Sequence, residues 1–422
     1  MWLPKPRNVL FGVLLALGLV VLGLAIAQDQ DTLRVRSPLG VDEQRFPDYL
    51  ARLLGHRLND GDSAIVHTDG DAAFPAMLAA IDAARHRVSF ETYIFDTGTI
   101  PERFVDALAG AARRGVDVRL VLDSIGAETM DDAAREKLRN AGAHVAWFNP
   151  VASYSLEEAN YRTHRKALVI DGDTAFVGGI GIADHWAQAV DGSPKWRDTH
   201  LELHGHIALD VEAAFNENWI ETGGVVAPDL LMHEPASAGR ASSIAVWSSP
   251  EGGANAMKLL YLLAIGAARQ SLDIQSPYFI TDESTQWSLL EARRRGVRVR
   301  VLVEGDITDA KAVKHASRGL YDPLLAAGVE IYEYQPAMMH TKAMMIDRTF
   351  SMAGSANFDN RSLELNDELN VVIFDQGTTV RLRTDFERDL SRSRAISLEQ
   401  WRARPFYIKG YEKMWSYFGE IF

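Results

Sequence analysis

Short stretches in which apolar and polar positions alternate recur at matching places in the two parts of the chain. Residues 88–95 and 116–122 show this pattern in the first part, and residues 272–276 and 297–303 show it in the second. The segment between the members of each pair ends in the same Arg-Arg-Gly sequence. The alternation predicts strands, and a helix between successive strands predicts α/β units in which helices cover a sheet.

The internal similarity continues to a His-x-Lys sequence in each part and predicts a duplicated fold. His164 and Lys166 recur as His340 and Lys342, 176 positions later. We expect two similar α/β halves around a pseudo-two-fold axis, with one shared active site between them. The predicted division is an N-terminal segment (1–35), a first half (45–227), a linker rich in Pro, Gly, Ala and Ser (228–243), a second half (244–400) and an aromatic C-terminal tail (401–422).

An uncharged apolar run at residues 9–27 follows Lys5 and Arg7. At helical rise it just spans the hydrocarbon core of a bilayer, which predicts a single membrane anchor with its basic end in the cytoplasm. The sequence Ala25-Ile26-Ala27 has the small-x-small form of a cleavage site, so a removed signal peptide is the alternative. Either interpretation places the body of the protein on the extracytoplasmic side.

Composition excludes several kinds of site and partner. The chain has 44 Lys and Arg against 57 Asp and Glu, a formal charge of −13. Because binding to nucleic acid needs clustered cations to neutralise phosphates, we expect no nucleic acid partner. The chain has no cysteine, which excludes disulfides, thiolate nucleophiles and cysteine-based zinc sites.

Each His-x-Lys sequence opens a longer pattern, in which an aspartate and then a glycine-led segment follow at fixed spacing. The members are Asp347, Gly354, Ser355 and Asn357 in the second part, and Asp171, Gly178, Gly179 and Gly181 in the first. Side chains at i and i+2 of a strand face the same way, so the His and Lys of each sequence project together. Asp171 and Asp347 fall near a turn between two predicted strands, where a structural role is expected.

Two histidines, two lysines and an amide suit chemistry at a phosphodiester. One imidazole can attack phosphorus and form a phosphohistidine, while the other donates a proton to the leaving alcohol and later removes one from the incoming nucleophile. Lys166, Lys342 and Asn357 can hold the non-bridging oxygens, where negative charge accumulates in the transition state. This chemistry requires no metal and no cofactor.

The whole pattern resembles the duplicated His-Lys-Asp motif of the phospholipase D superfamily and, more narrowly, the bacterial cardiolipin synthases. The resemblance extends over about residues 63–391 and includes, besides the two motifs, the segments Glu91-Thr92-Tyr93, Trp196-Arg197-Asp198-Thr199, Gln275-Ser276-Pro277-Tyr278-Phe279 and Asn366-x-Glu368. It implies a duplicated phospholipase D-type fold. It also implies phospholipid substrates, among them phosphatidylglycerol, and a place at the bacterial inner membrane.

The resemblance also implies residue roles. His164 would be the nucleophile and His340 the acid/base, and an acidic residue downstream of each motif would orient a histidine. Asp198 stands at that place for the first half and Glu368 for the second, so we expect Asp198 to serve His164 and Glu368 to serve His340. Such a carboxylate fixes the imidazole tautomer and stabilises the imidazolium.

Three further positions complete the predicted substrate site. Ser355 and its counterpart Gly179 are expected next to the phosphate, and Tyr278 is expected to line a channel for the acyl chains or the headgroup, unless it only covers the edge of the core. Gly181 departs from the pattern, because asparagine is usual there. We expect a water or a backbone N–H to hold the phosphate oxygen in its place.

The sequence leaves three rival functions and two structural alternatives open. A hydrolytic phospholipase D would use the same residues with water as the acceptor, and a nuclease or phosphodiesterase of the same superfamily is a second rival. A lipid-binding protein with a decayed site is a third. Three neighbouring histidines, His200, His204 and His206, lie in an alternating stretch that favours a half-exposed strand over a metal site. The C-terminal tail is either an interfacial amphipathic helix or a helix docked on the core.

Overall fold

A single mixed sheet of fifteen strands runs through the described part of the chain. The computed structural model describes residues 32–150, 161–226, 234–249 and 256–417. In chain order the strands are β1 Asn59–Thr68, β2 Arg87–Thr92, β3 Asp117–Asp123, β4 His144–Phe148, β5 Lys166–Ile170, β6 Thr174–Gly178, β7 Thr199–His204, β8 Ala241–Ser248, β9 Ser271–Gln275, β10 Arg298–Glu304, β11 Glu330–Tyr334, β12 Ala343–Ile346, β13 Phe350–Gly354, β14 Glu368–Phe374 and β15 Ser393–Ile396.

The strand order shows the duplication directly. The first half has the order β4-β3-β2-β5-β6-β7-β1, and the second half has the matching order β11-β10-β9-β12-β13-β14-β8, with β15 added at its edge. In each half the first three strands are parallel and the rest antiparallel. The halves join where β1 and β8 pair antiparallel, which relates them by an approximate two-fold rotation. The predicted duplicated α/β fold is confirmed.

Twelve helices lie in the described part of the chain and cover the sheet. They are α1 Phe46–Leu54, α2 Asp69–Ala83, α3 Thr99–Arg113, α4 Asp132–Asn140, α5 Ile207–Glu221, α6 Ala256–Ala267, α7 Glu283–Arg294, α8 Lys311–Arg318, α9 Tyr321–Ala326, α10 Gln376–Leu390, α11 Leu398–Ala403 and α12 Phe406–Ser416. A short 3₁₀ turn, Asp184–Trp186, follows the first motif, and a π-helical turn, Arg361–Leu365, follows the second.

Three large apolar clusters form most of the core in the described part of the chain, and a small fourth one surrounds Phe215 and Trp219. One belongs to the first half and is built around Phe90, Phe104 and Trp186, and one belongs largely to the second half. The third cluster joins the halves, because apolar side chains of β5–β7 and α5 pack in it with side chains of β12–β14 and α10. Burial of apolar surface across the junction therefore fixes the relative position of the two halves, and with it any site that they share.

The strand predictions are confirmed with small differences at the ends. The first predicted strand reaches residue 95, but β2 ends at Thr92, because the chain leaves the sheet there for the bend that places Tyr93 beside His164. A strand, β8, begins at Ala241, inside the stretch predicted as a linker. The apolar run at residues 9–27 lies outside the described residues. No helix in residues 32–150, 161–226, 234–249 and 256–417 is long and apolar enough to cross a membrane.

The C-terminal tail forms α12, which both docks on the protein and exposes aromatic side chains. Glu412 is buried and forms ion pairs with Arg318 of α8 and with Arg404. Phe406 and Tyr407 are 83% and 64% exposed. Tyr411, one turn further along α12, is exposed as well, so the helix combines features of both predicted forms.

Candidate active site

The two motif histidines meet in one cavity between the halves. His164 precedes β5 and His340 precedes β12, and these strands pair antiparallel with β2 and β9, the parallel strands nearest the middle of each half. The cavity has a volume of about 440 Å³. The side chains that line it are Tyr93, Ile94, Arg162, His164, Tyr278, Asp309, Ala310, Val313, His340, Asn357, Asp359, Arg361, Ser362 and Asn366.

Each histidine is held by the acidic residue of the other half. His164 Nδ1 lies 2.9 Å from Glu368 Oε1 and 3.1 Å from Oε2, and His340 Nδ1 lies 2.8 Å from Asp198 Oδ2. Our expectation that Asp198 serves His164 and Glu368 serves His340 was therefore wrong. The prediction that these two carboxylates orient the histidines through one ring nitrogen agrees with the observed contacts.

The exchange of partners follows from backbone pairing across the junction. His164 N–H donates to Asp367 O, and Asp367 N–H donates to Arg162 O. The equivalent bonds in the other half run from His340 N–H to Arg197 O and from Arg197 N–H to Met338 O. The segment before each histidine thus pairs with the segment before the opposite acid, so each carboxylate meets the imidazole of the other half.

Burial and neighbouring charge set the ionisation of the four paired groups. Burial alone would raise the pKa of Asp198, but His340 and Lys342 lower it to about 2. In the same way His164 and Lys166 overcome burial and hold the pKa of Glu368 at about 2. Both acids are therefore ionised at neutral pH and accept a hydrogen bond from Nδ1–H, which leaves Nε2 of each ring as the reactive nitrogen.

Burial also shifts the histidines toward the neutral form. It lowers the pKa of His164 to about 4, with Lys166 and Lys342 adding to the effect against Glu368. Burial and Lys342 also lower the pKa of His340, while Asp198 opposes them. A neutral imidazole whose Nδ1–H is held by a carboxylate has a free lone pair on Nε2. This is the form that a nucleophile requires.

The two lysines have matching positions behind the histidines. Lys166 Nζ donates to His164 O, and Lys342 Nζ donates to His340 O, both at 2.7 Å. Burial lowers the pKa of Lys166 to about 7 and that of Lys342 to about 8. Glu368 and Asp198 lie near both ammonium groups and offset part of the cost of burying them. An anionic phosphate in the cavity would likewise stabilise the charged form of both lysines.

The glycine-led segments differ between the halves. Asn357 lies in the cavity wall, and its Oδ1 is buried without a hydrogen-bond partner in the described part of the chain. Ser355 lies behind the cavity, where its hydroxyl donates to Glu368. A Cβ on Gly179 would collide with Asp198 Oδ1. The structure therefore puts Ser355 and Gly179 against the carboxylates that hold the histidines, and not in the cavity wall where a substrate-binding role would place them.

Asp171 and Asp347 lie at the far end of β5 and β12, where they cap backbone. Each has a left-handed conformation, with φ of 53° and 48°. The Asp171 carboxylate accepts hydrogen bonds from the N–H groups of residues 85–87, and the Asp347 carboxylate accepts them from the N–H groups of residues 269–271. These contacts agree with the structural role expected from the turn position.

Of two aromatic residues in the site, the sequence predicts Tyr278 and does not predict Trp186. Tyr278 lines the cavity as expected, and its hydroxyl donates to Asp309 at 2.8 Å. Trp186 was not singled out, although its indole N–H donates to Asp198 Oδ2 at 3.0 Å and its ring packs edge-on against His340. The departure at Gly181 was the available signal, because a missing side chain in a buried motif leaves space for another residue.

The histidines of β7 do not form a metal site. His200 is fully buried, and burial lowers its pKa to about 3. His204 contacts Glu202 and Thr174. Among the residues that the structure describes, no group of three or more His, Asp or Glu is arranged to hold a metal ion.

Comparison with known proteins identifies the family. The profile described as "Cardiolipin synthase, PLD-like domain" matches residues 77–189 and 261–390. Cardiolipin synthase 1 of Bacillus cereus is 31% identical over 377 residues, which cover 87% of this chain and 74% of that protein. The chain belongs to the cardiolipin synthase family of phospholipase D-like proteins.

A second relative agrees with this membership, and a solved structure agrees with the fold. The cardiolipin synthase of Geobacillus kaustophilus is 31% identical over 89% of this chain and 75% of its own length. Phosphatidylserine synthase of Haemophilus influenzae superposes with a TM-score of 0.66 at 13% identity, covering 89% of this chain and all of that one. At this identity the second comparison supports the fold alone, and it agrees with the phospholipase D-type architecture described above.

Proposed function

We propose that this cardiolipin synthase family member is a phosphatidyltransferase that moves a phosphatidyl group from one phospholipid to the hydroxyl of another. The observation that carries the proposal is the crossed pair of His–carboxylate contacts in one cavity. It supplies two imidazoles with reactive Nε2 atoms that face a common space. One can serve as a nucleophile toward phosphorus while the other serves the leaving and entering oxygens.

In the first step we assign His164 as the nucleophile. Its Nε2 attacks phosphorus, a P–N bond forms, and the P–O bond to the headgroup alcohol breaks. The departing oxygen takes a proton from Nε2 of His340, which is charged in this step and is stabilised by Asp198. The low pKa of His164, about 4, supports its assignment as the imidazole that is neutral before substrate binds.

In the second step the roles of the two groups reverse. His340, now neutral, removes a proton from the hydroxyl of the acceptor lipid, whose oxygen attacks phosphorus. The P–N bond breaks, and its electron pair returns to His164. With phosphatidylglycerol as both donor and acceptor, the products are cardiolipin and glycerol, and the enzyme returns to its starting protonation state.

The surrounding cations stabilise the charge that develops on the phosphate. We assign Lys166, Lys342 and the Asn357 amide to the non-bridging oxygens. In a buried site such fixed groups act more strongly than in water. Asp171 and Asp347 act at a distance, because they shape the turns that end β5 and β12 and do not touch the cavity.

A direct experiment separates transfer from hydrolysis. Purified full-length protein is incubated with phosphatidylglycerol, and lipids are identified by mass spectrometry. The proposal expects cardiolipin and glycerol in equal amounts, and it fails if phosphatidic acid accumulates without cardiolipin. Expression in a cardiolipin-deficient bacterial host gives the corresponding test in cells, with His340→Ala as the control.

We also propose that the protein works at a membrane, with phosphatidylglycerol in the bacterial inner membrane as the substrate pool. The apolar run at residues 9–27 supports an N-terminal anchor or a signal segment. A second support is α12, whose outer face carries exposed Tyr407, Tyr411 and Met414. The helix packs on α8, and Val313 of α8 lines the cavity, so this face adjoins the site at which lipid must enter.

The contribution of α12 can be tested without removing the N-terminal segment. In the triple variant Tyr407→Ser, Tyr411→Ser, Met414→Ser, we expect slower transfer with lipid vesicles and unchanged transfer with short-chain phosphatidylglycerol below its critical micelle concentration. If the ratio of the rate with vesicles to the rate with short-chain lipid were the same in the variant and the wild type, the proposed membrane contact through α12 would be rejected.

A further inference from the structure

Gly179 and Ser355 occupy equivalent positions in the two halves. Gly179 N–H donates to Thr199 O at 3.1 Å, and Ser355 N–H donates to Leu369 O at 3.0 Å. Thr199 directly follows Asp198, and Leu369 directly follows Glu368. The backbone around the two carboxylates is therefore the same, and only the side chains differ.

The hydroxyl that supports one carboxylate has no counterpart at the other. Ser355 Oγ donates to Glu368 Oε2, and Leu369 N–H donates to Ser355 Oγ at 2.9 Å. Gly179 has no side chain, and a Cβ there would collide with Asp198 Oδ1. Aspartate is one methylene shorter than glutamate, so the Asp198 carboxylate lies against the backbone where the serine side chain would stand.

Thr199 N–H donates directly to Asp198 Oδ1 at 2.8 Å, and the indole of Trp186 supplies a side-chain donor to the other oxygen. Its Nε1–H donates at 3.0 Å to Asp198 Oδ2, the same oxygen that lies 2.8 Å from His340 Nδ1. The ring is fully buried. It occupies space that Gly181 leaves open, because a Cβ on Gly181 would lie 2.9 Å from Ile94 Cβ and 3.0 Å from Trp186 Cη2.

The turn that carries the indole is itself tied down. Trp186 ends the 3₁₀ turn Asp184–Trp186, and the Asp184 carboxylate accepts hydrogen bonds from the N–H groups of Thr99 and Ile100 at the start of α3. The ring also packs in the apolar cluster of the first half. A donor on such a rigid support holds its acceptor in place at little entropic cost when the reaction occurs.

We propose that Trp186 is a positioning residue, whose indole N–H replaces the hydroxyl absent at Gly179 and holds Asp198 in the orientation that keeps His340 Nε2 aimed at the substrate. The inference rests on the proposed function for the role of His340, but the contact itself belongs to the folded protein. It also accounts for Gly181, since the small residue makes room for the indole. Our expectation that a water or a backbone N–H holds the phosphate oxygen in place of the missing asparagine concerns a different contact and stays a prediction.

The charges around His340 determine how its pKa would respond if the indole N–H of Trp186 were removed. Asp198 and Asp309 favour the imidazolium, while Lys342 disfavours it, and His185 lies close enough for its own pKa to depend on His340. An N–H that points at Asp198 offsets part of the carboxylate's negative charge. Without it we expect the pKa of His340 to rise, because the carboxylate would then stabilise the imidazolium more strongly.

The first variant is Trp186→Phe, which keeps an aromatic ring and removes the donor. We expect kcat with a lipid donor to fall by about 10- to 100-fold, the range for losing a hydrogen bond to a charged group. With a phosphodiester whose leaving group is p-nitrophenolate, formation of the phosphoenzyme needs no acid, so its rate should stay near that of the wild type. Ser355→Ala is the matched control. It removes the hydroxyl that donates to Glu368, the carboxylate that holds the nucleophile His164. We therefore expect slower phosphoenzyme formation from both substrates.

A second substitution protects the test against misfolding. Replacing Trp186 by 3-benzothienylalanine puts sulfur where the ring N–H stands and keeps the shape of the side chain. The thermal unfolding midpoint should match the wild type, and kcat with the lipid donor should fall as in Trp186→Phe. Wild-type kcat in this protein would overturn the proposal, and so would an equal fall in rate with both donor substrates.

A titration of His340 separates this inference from the proposed function. The ring is followed by NMR in the wild type, in both Trp186 replacements and in Trp196→Phe. Trp196 packs on the same imidazole but makes no hydrogen bond to Asp198 in the described part of the chain. We expect an upward shift of the His340 pKa in the two Trp186 replacements alone. If the wild type transfers no phosphatidyl group, the proposed function fails while this titration still decides the role of Trp186. An unchanged titration overturns the inference.

Discussion

Ser355 and Gly179 stand at the same place in two halves that fold alike, yet the groups around them differ. In the second half a serine hydroxyl of the motif supports the longer acid, Glu368, which holds His164. In the first half the shorter acid, Asp198, excludes any side chain at Gly179 and accepts hydrogen bonds from Thr199 N–H and from the Trp186 indole. The comparison shows that the two halves share the His–carboxylate geometry, while the groups that donate hydrogen bonds to the two carboxylates differ.

The largest effect should come from removing the two histidines, which also tests their division of labour. We expect His164→Ala to abolish transfer and the acid-labile phosphoenzyme, because His164 is the residue assigned to form the P–N bond. His340→Ala should lower kcat with lipid by about 10²- to 10⁴-fold, the usual contribution of a general acid or base. Rapid quenching with radiolabelled lipid measures both.

A donor whose leaving group needs no proton provides the control for the two histidine variants. A p-nitrophenyl phosphodiester should restore phosphoenzyme formation in His340→Ala and leave His164→Ala inactive. The opposite pattern would exchange the two roles. The crossed geometry would stand, but the assignment of the nucleophile would not.

The crossed acids should give the next largest effect. We expect Glu368→Gln and Asp198→Asn each to lower kcat by on the order of 10³-fold, because an amide can hold the imidazole in the wrong tautomer. Glu368→Gln should slow phosphoenzyme formation from either type of donor. Asp198→Asn should slow it chiefly with lipid, whose leaving group needs the proton of His340.

Single-turnover kinetics with the two donor types measures this difference. If Asp198→Asn instead behaved like a change at His164, each acid would act within its own half. That result would contradict the exchange of partners seen in the structure.

Exchanging the residues at the equivalent positions should have unequal results. Ser355→Gly removes one hydrogen bond to Glu368, and we expect kcat to fall about tenfold. Gly179→Ser adds a side chain where Asp198 Oδ1 already lies, so the buried carboxylate must move and both kcat and the unfolding temperature should fall further. Equal effects of the two substitutions on kcat would mean that the surroundings of the two acids are interchangeable.

The lysines predict a limit at alkaline pH. The pKa values of Lys166 and Lys342, about 7 and 8, are lowered by burial, so both side chains lose their positive charge as the pH rises through this range. Because both ammonium groups are assigned to the phosphate oxygens, we expect kcat/KM to fall about tenfold between pH 7 and 8 and approach about a hundredfold for each pH unit above 8. The corresponding fall in kcat should begin at higher pH, because a bound anionic phosphate stabilises the ammonium form.

Initial rates measured between pH 5 and 10 at constant ionic strength test this limit. A kcat/KM that remains constant up to pH 10 would show that neither ammonium group titrates in the free enzyme. The lysines would then both be charged throughout, and the difference between their surroundings would have no effect on catalysis.

The smallest effect on rate is expected at the two capping aspartates. Asp171→Asn and Asp347→Asn weaken the bonds to three backbone N–H groups each, so the free energy of unfolding should fall by about 1 to 3 kcal/mol while kcat stays near the wild-type value. Asp347 is the more buried of the two, so Asp347→Asn should lower the free energy of unfolding more than Asp171→Asn. Urea denaturation measures the first quantity, and a large loss of kcat in a folded variant would give these residues a closer part in the chemistry.

Much of the fold and half of the site arrangement could be predicted from local sequence. Strand alternation and the repeat at 176 positions predicted the two α/β halves, because period and spacing are set along the chain. The motif positions likewise predicted that His164 and His340 share one site and that Asp171 and Asp347 lie at turns. The sequence assigned the acids to the wrong histidines, because their pairing depends on how Asp367 and Arg197 bond across the junction.

The sequence alone therefore determined the chemical groups of this site, the duplication that doubles them and the missing side chains at Gly179 and Gly181. Only the tertiary structure decided which carboxylate holds which imidazole and which residue uses the space that the glycines leave. The reason is physical. A repeated pattern specifies a backbone locally, whereas a buried contact such as Trp186 to Asp198 depends on packing between segments that periodicity does not describe.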